Sequence, residues 1–251
     1  MPPESDASRT TIPIAVAGQS IVLDHSGAAF LPESDDLLVS DLHFEKGSAF
    51  AQRGQALLPP YDTADTLRRL ERVIARVRPR RVICLGDTLH DLAGEVRMAE
   101  TDRKRLERMV GAQDWVWIAG NHDPAPPEGY GGTAAEEIRV GSLLLHHDVE
   151  AGPDGVIPAG EVIGHYHPKA AVRARGRRIS GRCFATDGRL LILPAFGAFA
   201  GGLNAREPAI ADLLSGDFQA YMIGRKGLFG FQKNQLIPDP QRAPSRTYDG
   251  H

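Results

Sequence analysis

Five short apolar runs along this chain each stop at polar, chemistry-bearing residues. Leu37-Leu-Val-Ser40 runs into Asp41-Leu42-His43, and Arg81–Leu85 runs into Gly86-Asp87 and His90-Asp91. Trp115–Ala119 runs into Gly120-Asn121-His122-Asp123, Leu143–Leu145 into His146-His147-Asp148, and Glu161–Ile163 into Gly164-His165-Tyr166-His167. Branched and aromatic residues suit a pleated, covered surface, so each run reads as a buried strand. Between the first two, Leu67, Leu70, Val73, Ile74 and Val77 recur at a helical period, with arginines on the other face. Asp62 or Thr63 is the expected cap of that helix and Pro79 its stop. A weaker helix is expected within Glu95–Val110, burying Leu106, Met109 and Val110. Strands alternating with helices up to Ala119 indicate an α/β fold.

The remaining pattern is one of strands and turns. Ile12–Val16 and Ser20–Asp24 form an expected hairpin about Gly18, and Ile138–Val140 and Leu143–His146 another about Gly141. From Ala170 onward, Val172, Ile179, Cys183–Ala185, a turn at Asp187-Gly188 and Leu190–Leu193 suggest a second sheet packed on the first. Phe44 to Pro60 reads as a long polar loop containing Glu45, Lys46 and Arg53; Pro124–Gly132 and 149–160 read as further loops. Residues 1–10 are expected to be loose. One domain is expected over 1–231, followed by a disordered tail from 232 to 251.

Composition narrows the class. With 251 residues and a net charge of -3, the chain carries no global basic footprint, so any nucleic-acid contact must be local. The best local candidate is the run Arg173, Arg175, Arg177, Arg178 and Arg182, whose alternative is a solvated strand face. Two cysteines, Cys84 and Cys183, make no disulfide framework and read as core thiols. No stretch has the length of a membrane span and no secretory signal is visible, so a cytoplasmic location is the default expectation.

The strand-terminal residues carry the chemistry. Neutral imidazole ligates transition metals, and carboxylate or amide oxygens suit harder ions. Asn, Asp and Gly also make ordinary turns, so no single cluster is decisive. Of nine histidines, only His25 and His251 lie away from these strand ends, which favours one shared site.

Taken in order, Asp41-x-His43, Gly86-Asp87-x-x-His90-Asp91, Gly120-Asn121-His122-Asp123, a strand-terminal His and Gly164-His165-x-His167 resemble the calcineurin-like metallophosphoesterases over residues 37–204. Ser40–Gly47, Gly164–Pro168, Arg182–Ala185 and Leu193–Asn204 are similar to the ligase-associated DNA-repair branch, described as endonucleases or phosphodiesterases. The resemblance implies a four-layer α/β/β/α sandwich of two mixed sheets and a pair of divalent ions, Mn²⁺ preferred, with Fe, Zn²⁺ or Co²⁺ compatible. It implies that Asp41, His43 and His167 hold one ion and that Asp87 bridges both. Asn121, His165 and one of His146 and His147 would hold the second, the nearer branch favouring His147. His122 would be the general acid, protonating the leaving oxygen after attack by a metal-activated water. His90, Asp91 and Asp123 would orient ligands, or merely satisfy a polar turn.

Three readings follow. The first is a phosphodiesterase or endonuclease acting on DNA, in a repair set with a DNA ligase or helicase. The second is a small-molecule phosphoesterase for a nucleotide, cyclic nucleotide or lipid pyrophosphate. The third is a metal-binding scaffold with little catalysis. Lys46 and Arg53 could touch a phosphate in the first reading, and Phe196 or Phe199 could stack on a base, although a core role competes for the phenylalanines.

Overall fold

The computed structural model describes residues 10–54, 61–123, 129–149 and 157–240. The chain opens with strands β1 (Thr11–Val16), β2 (Gln19–Asp24), β3 (Ala29–Leu31) and β4 (Asp36–Ser40), each antiparallel to the one before. Helices α1 (Lys46–Gln52) and α2 (Asp62–Val77) lead to β5 (Arg81–Leu85). Helices α3 (Gly94–Arg97) and α4 (Glu100–Gly111) lead to β6 (Asp114–Ile118), and β7 (Thr133–Ala135) closes the first sheet. Here β4, β5, β6 and β7 run parallel. The second sheet contains β8 (Ile138–Val140), β9 (Leu143–Leu145), β10 (Glu161–Ile163), β12 (Arg177–Thr186), β13 (Leu190–Ile192), β14 (Gln219–Ile223) and β15 (Leu228–Gln232). Its β11 (Lys169–Ala174) pairs with β12 alone, and β9, β10 and β13 are mutually parallel in a sheet that is otherwise antiparallel.

Strand alternation sorts the core into layers. Leu37, Val39, Val82, Cys84, Trp115 and Trp117 face α2 and α4, meeting Leu67, Leu70, Val73, Leu106 and Met109. The intervening residues Leu38, Ile83, Leu85, Val116 and Ile118 face the other way, against Leu143, Leu145, Val162, Phe184 and Leu191 of the second sheet. On that sheet's outer face, Ile163, Cys183, Ile192 and Met222 are covered by Ile210 of the single-turn α5 (Pro208–Ala211) and by Leu214, Phe218 and Leu236. The layers are thus helix, sheet, sheet and a thin outer cover, as expected. Both cysteines are buried thiols whose pKa burial raises. Among the described residues, no helix is long and apolar enough to cross a membrane.

Several local expectations are corrected. The segment after His43 is not loop throughout: α1 forms because the Asp62 carboxylate accepts the Gly47 N–H at 2.8 Å, supplying an N-terminal partner from another helix. Asp62 and Thr63 therefore do not cap α2. Tyr61 occupies that position without a side-chain cap, and Thr63 bonds the Glu45 backbone N–H at 2.9 Å and Glu45 Oε1 at 2.8 Å. The weak helix in 95–110 is two helices, separated by extended Met98. The tail does not loosen at 232. Leu236 is buried, Ile237 N–H donates to Ala171 O at 2.8 Å, and Asn204 Nδ2 reaches Ile237 O at 3.0 Å. An apolar residue that fills the outer face anchors a segment whose composition alone reads as loose. The expectations for residues 1–9, 55–60, 124–128, 150–156 and 241–251 lie outside the described residues.

Candidate metal centre

The parallel register brings the polar loops together. Ser40 pairs with Leu85 and Leu85 with Ile118, so Asp41, Asp87 and Asn121 emerge side by side at the carboxyl ends of β4, β5 and β6. This is where open α/β sheets place ligands. On the facing sheet, parallel β9 and β10 deliver His147, His165 and His167 to the same place. Asp41, His43, Asp87, His165 and His167 all adopt positive φ, between 43° and 64°. Such backbone costs of order 1–3 kcal/mol per residue and concentrates where a site is over-determined by its surroundings. Gly164 is demanded by space, since a Cβ there would collide with Ser40 Oγ and approach Asp41 Oδ2 to 2.7 Å.

Two groups of donor atoms result. In one, His43 Nε2 and His167 Nε2 lie 3.1 Å apart, and His167 Nε2 is 3.0 Å from Asp41 Oδ1. In the other, Asn121 Oδ1 is 2.9 Å from both His147 Nε2 and His165 Nδ1. Asp87 lies between them, with Oδ2 3.8 Å from His43 Nε2 and Oδ1 3.4 Å from His147 Nε2. Asp41, His43 and His167, and likewise Asp41, Asp87 and His147, offer ligand atoms within 4.8 Å of one another.

These groups fit divalent cations. Asp41 Oδ1 is buried and lacks a hydrogen-bond partner despite its imidazole neighbours, so the side chains converge on a common point. Burial pushes His43 down to about 3, leaving it in the neutral form that binds metals. Burial opposes ionisation of Asp87, but the His147 hydrogen bond and charge hold it at about 2. Asp41 is likewise held below the usual carboxylate range, against its burial, by His167, His147 and His43. Burial also opposes charge on His147, yet Asp87 and Asp41 lift it to about 9. Two carboxylates thus draw positive charge into a buried space, a role a metal ion fills.

The structure separates the adjacent histidines. His147 turns inward with Nδ1 3.0 Å from Leu85 O, whereas His146 points away and meets Glu161 Oε2 at 3.1 Å. The placement of His146 among the ligand candidates is therefore corrected: neighbours at a strand end face opposite sides. His122 stands at the rim, partly exposed, with Nε2 3.9 Å from Asp87 Oδ2 and Nδ1 2.9 Å from His90 O. Its ring stacks on His90 at 5.6 Å, which stacks in turn on Phe50 at 5.8 Å. Asp123 Oδ2 accepts the Leu89 N–H at 2.9 Å and ties the two loops together; burial raises its pKa to about 7. Asp91 instead pairs with Arg97 at 2.7 Å and fixes α3. Ser40, which the motif reading gives no site role, places its hydroxyl between Asp41 Oδ2 and Leu85 O. A serine before an Asp-x-His motif was the available signal.

The arginine run does not form one patch. Arg182 is half-buried and donates to Ala195 O at 2.6 Å, and Arg178 bonds Pro238 O at 2.7 Å and pairs with Asp239. Arg173, Arg175 and Arg177 remain exposed around the β11–β12 turn. Phe196 is wholly buried and belongs to the core, leaving Phe199 only part-covered. His25, outside the site as expected, bonds Gly224 O at 2.6 Å.

The family model for calcineurin-like phosphoesterases matches residues 37–172, more than half of the chain. The nuclease MPE of Pseudomonas putida matches in structure with a TM-score of 0.65 at 24% identity, covering 88% of this chain and 100% of that one. Yfce, a phosphoesterase from E. coli, matches with a TM-score of 0.38 at 15% identity, over 78% of this chain and 97% of that one. No curated protein matches the sequence. The strand-end residues brought together here fall within the matched segment, and the chain belongs to the calcineurin-like phosphoesterase family, as a metal-dependent hydrolase.

Proposed function

We propose that this chain is a two-metal phosphodiesterase acting on DNA, as an endonuclease in a repair setting alongside a ligase or helicase. The observation that carries the two-metal reading is Asp87, whose carboxylate oxygens face different donor groups, Oδ2 toward His43 and Oδ1 toward His147. The DNA reading draws on the likeness to a nuclease along that protein's full length.

In this proposal Asp41, His43, Asp87 and His167 would hold one ion, and Asp87, Asn121, His147 and His165 the other, with Mn²⁺ the preferred metal. Bound divalent ions supply charge for the phosphate oxygens and lower the pKa of an attacking water. The protein's own part is positioning and proton transfer. His122 donates from Nε2 to the departing oxygen, while its Nδ1 is held by His90 O at 2.9 Å. The stack on His90 and Phe50 keeps the ring aimed over the site. Partial exposure lets His122 recover its proton from solvent.

A small-molecule diester is the second reading, favoured by the dispersal of the arginine run. Mn²⁺-dependent hydrolysis distinguishes the two, using bis-(p-nitrophenyl) phosphate, p-nitrophenyl phosphate, cyclic nucleotides and labelled single- and double-stranded DNA, with Asp87→Ala as the blank. DNA cleavage absent from the blank supports the first reading. Activity confined to small diesters supports the second, and metal binding without any turnover refutes both.

A further inference from the structure

A second concavity lies beside α2, and two of its lining residues, Arg69 and Arg182, reach the Ala195–Gly197 segment that also borders the metal centre. That segment is shared: Phe196 N–H and Gly197 N–H donate to Ser40 O and Asp41 O, at 2.8 and 2.9 Å, and the Phe196 carbonyl points the other way. There it receives both Arg69 Nη2 and Arg182 Nη1, the latter at 3.3 Å. Two guanidinium groups thus meet at one carbonyl oxygen.

The pocket has a volume of about 540 Å³, and Arg72, Arg76 and Arg225 join Arg69 and Arg182 in lining it. Its carboxylate, Asp24, is engaged by Arg76 at 2.8 and 2.9 Å. Among the described residues, Arg69, Arg72, Arg182 and Arg225 make no ion pair with a carboxylate. Arg69 is packed over the Phe196 ring at 4.6 Å, and its buried Nε–H has no acceptor. Burial and the like charge of Arg182 push Arg69 down to about 9, with only a distance-weakened opposing pull from Asp65, which pairs instead with Arg68. A guanidinium stays charged in a protein, so the pair is short of a counter-ion.

We propose that this arginine pocket is an anion site that takes a phosphate group. Guanidinium groups from α2, β12 and the β14–β15 turn line one pocket, and their planar forks suit the several oxygens of one tetrahedral dianion. The phosphate belongs either to free inorganic phosphate or to a nucleic-acid backbone. The site does not depend on which ester the metal centre cleaves.

The test is calorimetric titration of the whole chain in EDTA, where the emptied metal centre neither holds phosphate nor cleaves DNA, with inorganic phosphate, with acetate at equal ionic strength as control, and separately with single-stranded DNA. Arg69→Gln removes the central charge but also a structural contact. The double variant Arg72→Ala, Arg225→Ala removes two exposed charges and leaves the Phe196 carbonyl bonds intact. With the metal centre emptied in every sample, a loss in the double variant relative to wild type reports on the pocket. We expect phosphate binding at least tenfold weaker in the double variant, with its unfolding midpoint in the absence of phosphate unchanged. A parallel loss of DNA affinity, with a shallower salt dependence, identifies a backbone phosphate as the occupant. A loss confined to inorganic phosphate identifies the free ion. Equal phosphate binding by wild type and the double variant, or binding of acetate as tight as phosphate, overturns the proposal.

Discussion

His43 Nε2 and His167 Nε2 face each other at 3.1 Å. Two neutral imidazoles at that distance either share one proton or repel through their lone pairs, and a cation between them removes the conflict. The metal-free protein should therefore be markedly less stable than the loaded one. At a metal concentration one hundred times Kd, linkage gives about 2.7 kcal/mol for each ion bound, and one ion alone is a rise in Tm of roughly 5–10 °C for a chain of this size. Thermal unfolding in EDTA and then in Mn²⁺ measures this, and identical midpoints would count against the ligand assignment.

The opposite orientations of His146 and His147 separate their roles. His147→Ala should lower bound metal from two ions to about one per chain and abolish turnover. His146→Ala should leave the metal count at two, because its ring contacts Glu161 instead. Metal analysis of the purified variants decides this. Loss of an ion in His146→Ala, with retention of both in His147→Ala, would reverse the assignment.

His122 should matter in proportion to leaving-group basicity. His122→Ala is expected to keep its metal and lose about 10²–10⁴-fold on alkyl or sugar leaving groups, and far less on p-nitrophenolate. A leaving-group series compared between wild type and variant checks the assignment. An equal loss on every ester would mean that His122 orients the site and does not donate a proton.

Away from the metal centre, Asp187 controls stability in acid. Burial works against its charge, but Leu190 N–H, Ser215 N–H and hydroxyl, and Arg189 N–H bond it and hold it at about 2, against an ordinary 3.8. A carboxyl depressed in the folded state binds protons more readily when unfolded. Its contribution, about 2 kcal/mol, is present above pH 4 and is lost as pH falls toward 2. Asp187→Asn should flatten that part of the stability curve. Urea unfolding between pH 2 and pH 6 would show it, and an unchanged slope would contradict the bonding described.

The order of strands, the helical period of α2 and the polar residues at each strand end could all be read along the chain, because each depends on residues a few positions apart. Leu67, Leu70 and Val73 announce one face of a helix wherever it packs. Asp41, Asp87 and Asn121 announce themselves by following buried runs. The corrections come from contacts distant in sequence. α1 needs Asp62, the start of the tail needs the pocket that receives Leu236, and the arginine run is divided because Ala195 and Asp239 claim two of its members.

The sequence alone determined which residue types stand at which strand ends, and so the chemistry within reach. Tertiary structure alone decided which of two adjacent histidines turns inward, and it gathered arginines from α2, β12 and a distant turn around one pocket. The physical reason is that strand and helix periodicity is a local steric property of the backbone. Which side of a strand end meets the site, and which charges converge, depends on how two sheets and a helix pack across dozens of intervening residues.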